Sequence, residues 1–111
     1  MTDILSKVKF AKEAADELRE SVEWYELSAE GLGLRFMDEI DSTVERIKLN
    51  PDLYQKITRD IRKIQVNKFP FSVFYKTEED ILVILRIFHN KRGCLIQPQK
   101  TGNTSRSDQI F

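Results

Sequence analysis

Ile81-Leu82-Val83-Ile84-Leu85-Arg86-Ile87-Phe88 is the stretch that decides the fold. Arg86 is its only polar residue, and neither Gly nor Pro interrupts it. A strand apolar on both faces belongs inside a sheet, with its sides covered. Working back from it, Thr77-Glu78-Glu79-Asp80 reads as a polar turn. Before that, Phe71, Val73 and Tyr75 alternate with Ser72, Phe74 and Lys76, a second strand. Pro70 breaks the pattern, and upstream of it Ile64 and Val66 alternate with Lys63, Gln65 and Asn67. Three strands joined by short links make an antiparallel meander.

The front half has a different period. Lys7-Val8-Lys9-Phe10 alternates and reads as a short strand, with Val8 and Phe10 on one face. Ala11, Ala14, Ala15, Leu18, Val22 and Tyr25 then recur at three- and four-residue spacing, the stripe of an amphipathic helix. Gly31 and Gly33 mark a turn. A second stripe, Phe36, Met37, Ile40, Val44 and Ile47, ends near Asn50-Pro51, because a residue before proline is pushed out of the helical region. The predicted fold class is therefore α+β. An N-terminal strand precedes an antiparallel helical hairpin, about residues 11–49, packed on a small antiparallel sheet with a three-stranded C-terminal meander over about residues 62–89. The N-terminal strand joins that sheet beside a neighbour the pattern does not decide.

Composition sets outer bounds. The 111 residues suit one domain, placed at 1–100, with the small polar residues of 101–111 read as a mobile tail. Hydrophobic residues at 41% and charged residues at 32% argue against wholesale disorder. No apolar run approaches the roughly 20 residues that span a bilayer, and the first residues lack the basic start and apolar stretch of a secretory signal. Cys94 is the only cysteine, and no Cys/His cluster has metal-ligand spacing. These features predict a protein of the reducing cytoplasm with no membrane association, no structural metal and no cofactor. The net charge of zero conceals an asymmetry. Residues 1–60 hold 14 acidic and 9 basic residues, a balance of −5, and residues 61–111 hold 4 and 9, a balance of +5. An acidic front and a basic back suggest two faces with different partners.

Individual residues carry narrower expectations. His89, the only histidine, has a titration range suited to acid–base work, and it also closes a strand, where a structural role is common. Arg62 and Lys68 share parity with Ile64 and Val66 and could flank one strand face, or serve as solvated edge charges. Arg86, inside the most apolar strand, needs an acidic partner or lines a site. Trp24 and Tyr25 read as packing residues on the first helix. Cys94 has no base beside it to make it a nucleophile.

Several local patterns together resemble the RelE/ParE toxin superfamily, in the branch called plasmid stabilisation proteins. Ala15-Asp16-Glu17-Leu18 followed by Glu23-Trp24-Tyr25-Glu26 is similar to its first helix. Gly31-Leu32-Gly33-Leu34-Arg35-Phe36 resembles its glycine turn, and Asn50-Pro51-Asp52-Leu53-Tyr54 its second helix exit. Ile61-Arg62, Phe69-Pro70-Phe71, Phe74-Tyr75 and His89-Asn90-Lys91-Arg92 resemble its strand signatures. The order of these pieces from Lys7 to Arg92 carries the resemblance.

The resemblance implies the toxin of a type II toxin–antitoxin module, held inactive by a cognate antitoxin protein. RelE-type members cleave messenger RNA on the ribosome by driving a ribose 2′-hydroxyl onto the adjacent phosphate, with basic residues stabilising the charge that develops. On that reading the catalytic candidates are Arg92, His89, Lys63 and Arg62, with Arg92 at the position of the phosphate-stabilising arginine. Two positions depart from the pattern. Ser72 stands where RelE nucleases have a second arginine, and Gly93-Cys94-Leu95-Ile96-Gln97 supplies no tyrosine after Arg92. ParE-type members poison DNA gyrase by protein contact and need no such set. A third outcome is a member that keeps the antitoxin contact with little toxicity.

Overall fold

A computed structural model describes residues 7–91; Arg92, Cys94 and the stretch 101–111 lie outside the described residues. Its elements are β1 (Lys7–Phe10), α1 (Lys12–Ser28), α2 (Leu32–Leu49), β2 (Gln55–Lys56), β3 (Arg62–Gln65), β4 (Phe71–Glu78) and β5 (Ile81–His89). The two helices cover one face of a five-stranded sheet of order β1-β5-β4-β3-β2. Neighbouring pairs from β2 to β5 are antiparallel, as the meander requires.

The sheet as a whole is mixed, because β1 runs parallel to β5, Lys7 opposite Ile81 through Phe10 opposite Ile84. The helical hairpin and meander together form the long crossover that a parallel pair demands. The ladder continues one residue past β1, where the Ala11 N–H donates to the Ile84 carbonyl at 2.9 Å, and α1 then peels away. Beyond Ile84 no strand among the described residues lies beside the outer edge of β5. The decisive stretch thus lies between β1 and β4, and among the described residues helices cover one of its faces.

Why the hairpin turns where it does is visible in two glycines. Gly31 has φ +83°, a left-handed conformation that costs side-chain-bearing residues energy. Gly33 lies within α2, where an added Cβ would stand 2.6 Å from the Val22 carbonyl oxygen of α1. The helices approach at that point as closely as backbones can. Glu26 completes the turn by accepting the Gly31 N–H at 2.9 Å and the Gly33 N–H at 3.0 Å. Its carboxylate satisfies donors at the start of α2 that the helix itself leaves unpaired.

The core lies between the layers. Phe36, Ile40, Val44 and Ile47 of α2 and Ala14 of α1 meet Ile64, Val66, Phe71, Val73, Tyr75, Leu82, Ile84 and Ile87. Met37, expected in the α2 stripe, instead turns outward and is 37% exposed. An aromatic group of Tyr25, Phe36, Phe69 and Phe71 fills the end nearest the helical turn, with Phe36 and Phe71 centroids 4.7 Å apart. Trp24 and Tyr25 are in edge-to-face contact; Tyr25 packs against the core, while Trp24 is partly exposed. β4 extends through Thr77 and Glu78, so the turn before β5 shrinks to Glu79-Asp80, with Glu79 at φ 56°. No helix among the described residues is long and apolar enough to cross a membrane.

Candidate functional site

Strand pairing decides which charged residues share a face, because residues directly opposite one another point the same way. Arg62 pairs with Tyr75, Ile64 with Val73 and Phe71 with His89, so these side chains are on the helix-covered face. Lys63 pairs with Phe74 and Phe74 with Arg86, placing that row on the open face. The three described cleavage candidates are therefore divided. Lys63 is on the open face and half-buried. Arg62 and His89 share the other face but sit on opposite sides of β4, beside Tyr75 and Phe71, about 13 Å apart along the strand at ~3.3 Å per residue. Arg92 lies outside the described residues.

Each divided residue has structural work where it stands. The Arg62 guanidinium donates to the Tyr54 carbonyl at 2.7 Å and lies 3.8 Å from Asp52, tying β3 to the connection that leaves α2. His89 packs its ring edge-to-face on Phe71 at 4.9 Å, and its Nδ1 accepts the Lys91 N–H at 3.2 Å. Lys68 does not join Arg62 on the strand. It follows β3 at φ 70° and reaches Glu39 of α2 at 3.6 Å.

Ser72 is the departure that the structure explains most fully. Its hydroxyl is buried and donates to Asn90 Oδ1 at 2.7 Å. Asn90 Nδ2 donates to Gln65 Oε1 at 3.2 Å, and Gln65 Nε2 donates to the Phe71 carbonyl at 3.0 Å. The Asn90 backbone N–H also donates to the Pro70 carbonyl at 2.8 Å. This clamp ties the ends of β3, β4 and β5 with short neutral side chains. A guanidinium at position 72 would have to leave it or break it.

Arg86 finds its acidic partner in α1. Its Nε donates to Glu17 Oε2 at 2.8 Å, while Glu17 Oε1 accepts the Ile87 N–H at 2.8 Å. One carboxylate thus neutralises the charge in the apolar strand and occupies a backbone donor on the edge where β1 has ended. The hydrogen bond to Glu17 raises the Arg86 pKa further, fixing its charge. The guanidinium also lies 5.5 Å over the Phe88 ring, which meets Phe74 edge-on at 5.9 Å. Glu17 was not singled out by sequence; only its presence in the first-helix motif Ala15-Asp16-Glu17-Leu18 pointed toward it.

A cleft of about 400 Å³ opens at the far end of the sheet. It is lined by Asp52, Lys56, Arg59, Asp60 and Arg62, with Lys76, Thr77 and Glu78 of β4 opposite. Tyr75, next to Lys76 on β4, has its hydroxyl donating to the Pro51 carbonyl at 2.8 Å. Burial pushes its phenol up to about 12, against the opposing pull of the Arg62 charge. Among the described residues no three His, Cys, Asp or Glu side chains come together to hold a metal ion.

Comparison with known proteins fits this architecture. A family model described as the ParE toxin of the type II toxin–antitoxin system parDE matches residues 8–93. The solved structure of the chromosomal ParDE system from P. aeruginosa is similar at TM-score 0.64 and 19% identity, over 78% of this chain and 97% of that one. The isolated E. coli RelE toxin is similar at TM-score 0.51 and 11% identity, over 78% of this chain and 85% of that one. The intact E. coli RelBE toxin–antitoxin complex gives 0.51 and 12%, over 78% and 98%. At such identities the structures show a common fold. No curated protein sequence matches significantly. With the helical hairpin and all of β2 to β5 inside the matched segment, the chain belongs to the ParE toxin family of type II toxin–antitoxin systems.

Proposed function

We propose that the chain arrests growth by binding a protein target, DNA gyrase, and that a cognate antitoxin holds it inactive until released. The observation that carries this reading is the division of the basic residues. General acid–base and electrostatic catalysis need their groups converging on one reacting atom. Here Arg62 and His89 are engaged on the helix face, Lys63 is on the other, and Ser72 occupies the second arginine position as part of a neutral clamp. A toxin that works by contact needs a rigid surface, and both ends of this sheet supply one. A protein that acts on gyrase would work in the cytoplasm.

The antitoxin's docking region is the turn of the helical hairpin. There Trp24, Leu27, Leu34 and Met37 are exposed, with Leu27 88% accessible. A segment that folds on binding needs such apolar contacts to offset its ordering cost.

The test is a supercoiling assay with purified toxin and gyrase, run beside primer extension on messenger RNA after induction. Inhibited supercoiling with intact messages is the expected result. Codon-level cleavage with unaffected gyrase would overturn the proposal and return Arg92, His89, Lys63 and Arg62 to catalysis. Arg92→Ala sharpens the outcome: loss of growth arrest in a folded variant whose parent cleaves no RNA assigns Arg92 to target binding.

A further inference from the structure

The connection from α2 to β3 is built too firmly for a solvated loop. Arg62 holds the Tyr54 carbonyl and Tyr75 holds the Pro51 carbonyl, so two of its backbone acceptors are fixed by side chains from the sheet. Gln55 and Lys56 pair with Lys63 and Arg62, making β2 and β3 a hairpin at the sheet's edge. Its turn closes with Ile57 N–H donating to the Ile61 carbonyl at 2.8 Å. The Thr58 hydroxyl accepts the N–H groups of Asp60 at 3.3 Å and Ile61 at 3.2 Å.

On this rigid frame the side chains are of the wrong kind for water. Leu49 and Leu53 are each 68% exposed and Ile57 is 43% exposed. Lys56 and Arg59 border the cleft, and neither has an ion-pair partner among the described residues. Two of the three acids around them differ, since Asp52 faces Arg62 and Glu78 is paired with Lys76 at 2.8 Å. Rigid, exposed apolar side chains beside uncommitted cations are the makings of an interface, because little order remains to be lost on binding.

We infer that this hairpin and its cleft dock an acidic segment of the protein target, with apolar residues against Leu53 and Ile57 and carboxylates against Lys56 and Arg59. The inference rests on the reading that the toxin acts by protein contact, and it names the surface that makes the contact. Nucleic acid fits less well. The exposed Leu53 and Ile57 beside the cations would gain nothing from a phosphate chain, whereas a peptide segment can cover them.

Two full-length variants test it, Leu53→Ser with Ile57→Ser, and Lys56→Glu with Arg59→Glu. All four side chains are exposed, so thermal midpoints should match the parent. Growth arrest and gyrase inhibition should each weaken about tenfold or more in both variants, the scale of a lost interface anchor. Antitoxin affinity by calorimetry should stay unchanged. Parent-level arrest by both folded variants overturns the inference. So does a parallel loss of antitoxin affinity, which would assign the surface to the antitoxin. Arrest that tracks messenger-RNA cleavage and responds to the charge variant alone would make it a phosphate surface. A parent that arrests growth without affecting gyrase sinks the gyrase reading by itself, and the variants' growth still decides the surface.

Discussion

Two hairpins project from this layer of helices on a sheet, one of helices and one of strands, and they are made alike. In each, one side chain accepts two backbone N–H groups of the turn: Glu26 for Gly31 and Gly33, Thr58 for Asp60 and Ile61. Each also shows apolar side chains to solvent, Leu27 and Leu34 on one, Leu53 and Ile57 on the other. Their charges differ. Glu23, Glu26, Glu30 and Asp38 lie near the helical turn with Arg35 as the opposing cation, whereas on the strand hairpin Lys56, Arg59, Arg62 and Lys63 outnumber Asp60. On the proposed reading, similar apolar stickiness with different charge would let one small fold address two partners, since like-charge contact penalises the wrong docking.

The comparison breaks first on stability. Phe36 anchors the helical hairpin in the core, and Phe36→Ala should cost about 3–5 kcal/mol. Ile57→Ala, an apolar deletion on the strand hairpin, should stay within about 0.5 kcal/mol, as exposed sites do. Chemical denaturation of both proteins checks this, and equal losses would mean that Ile57 is a core residue. Close approach gives the next effect. Gly33→Ala forces a methyl against the Val22 carbonyl and should cost about 1–3 kcal/mol, with no counterpart in the strand hairpin.

The two turn clamps should differ by a smaller margin. Glu26→Ala removes a charged acceptor at a helix start and should cost about 1–2 kcal/mol, against roughly 0.5–1 kcal/mol for Thr58→Ala. Amide exchange at Gly33 and at Ile61 would show whether each loss stays within its own turn. The smallest effect at neutral pH separates the hairpins by titration. Tyr75 has its phenol raised to about 12 in the fold, above the ordinary value of 10.0. Its contribution is therefore complete below pH 10 and is lost as the pH rises through 12. Because its hydroxyl holds the Pro51 carbonyl, alkali should loosen the base of the strand hairpin and spare the helical turn. Tyr75→Phe should flatten that alkaline limb. An identical alkaline profile in both proteins would remove Tyr75 from the explanation.

Much of the frame was legible because it is periodic. The alternations at Lys7–Phe10, Ile64–Val66 and Phe71–Tyr75 and the helical stripes all became elements near their expected places. β2 was not legible: Gln55-Lys56 has no apolar alternation, and pairing alone makes it a strand. Nor does alternation carry direction, so the parallel pairing of β1 with β5 could not be read. At the site, parity correctly put Arg62 with Ile64 and left Lys63 on the other face. Lys68 escaped parity because a positive φ had already turned the chain. Arg86 needed an acid, but Glu17 lies 69 positions earlier, a separation at which only the fold can choose among the acidic residues.

The parallel seam between β1 and β5 also sets an order of events at birth. Lys7 cannot meet Ile81 until 74 further residues have been made. At synthesis rates of about 5–20 residues per second, that interval is roughly 4–15 s. During it the helical hairpin can form early, from local contacts, while its apolar stripe waits for a sheet that does not yet exist. A nascent toxin is thus an unfinished surface for seconds, sticky along one flank and unable to close its first strand. An antitoxin already present in the cell would have that window to capture the chain before it becomes competent to act.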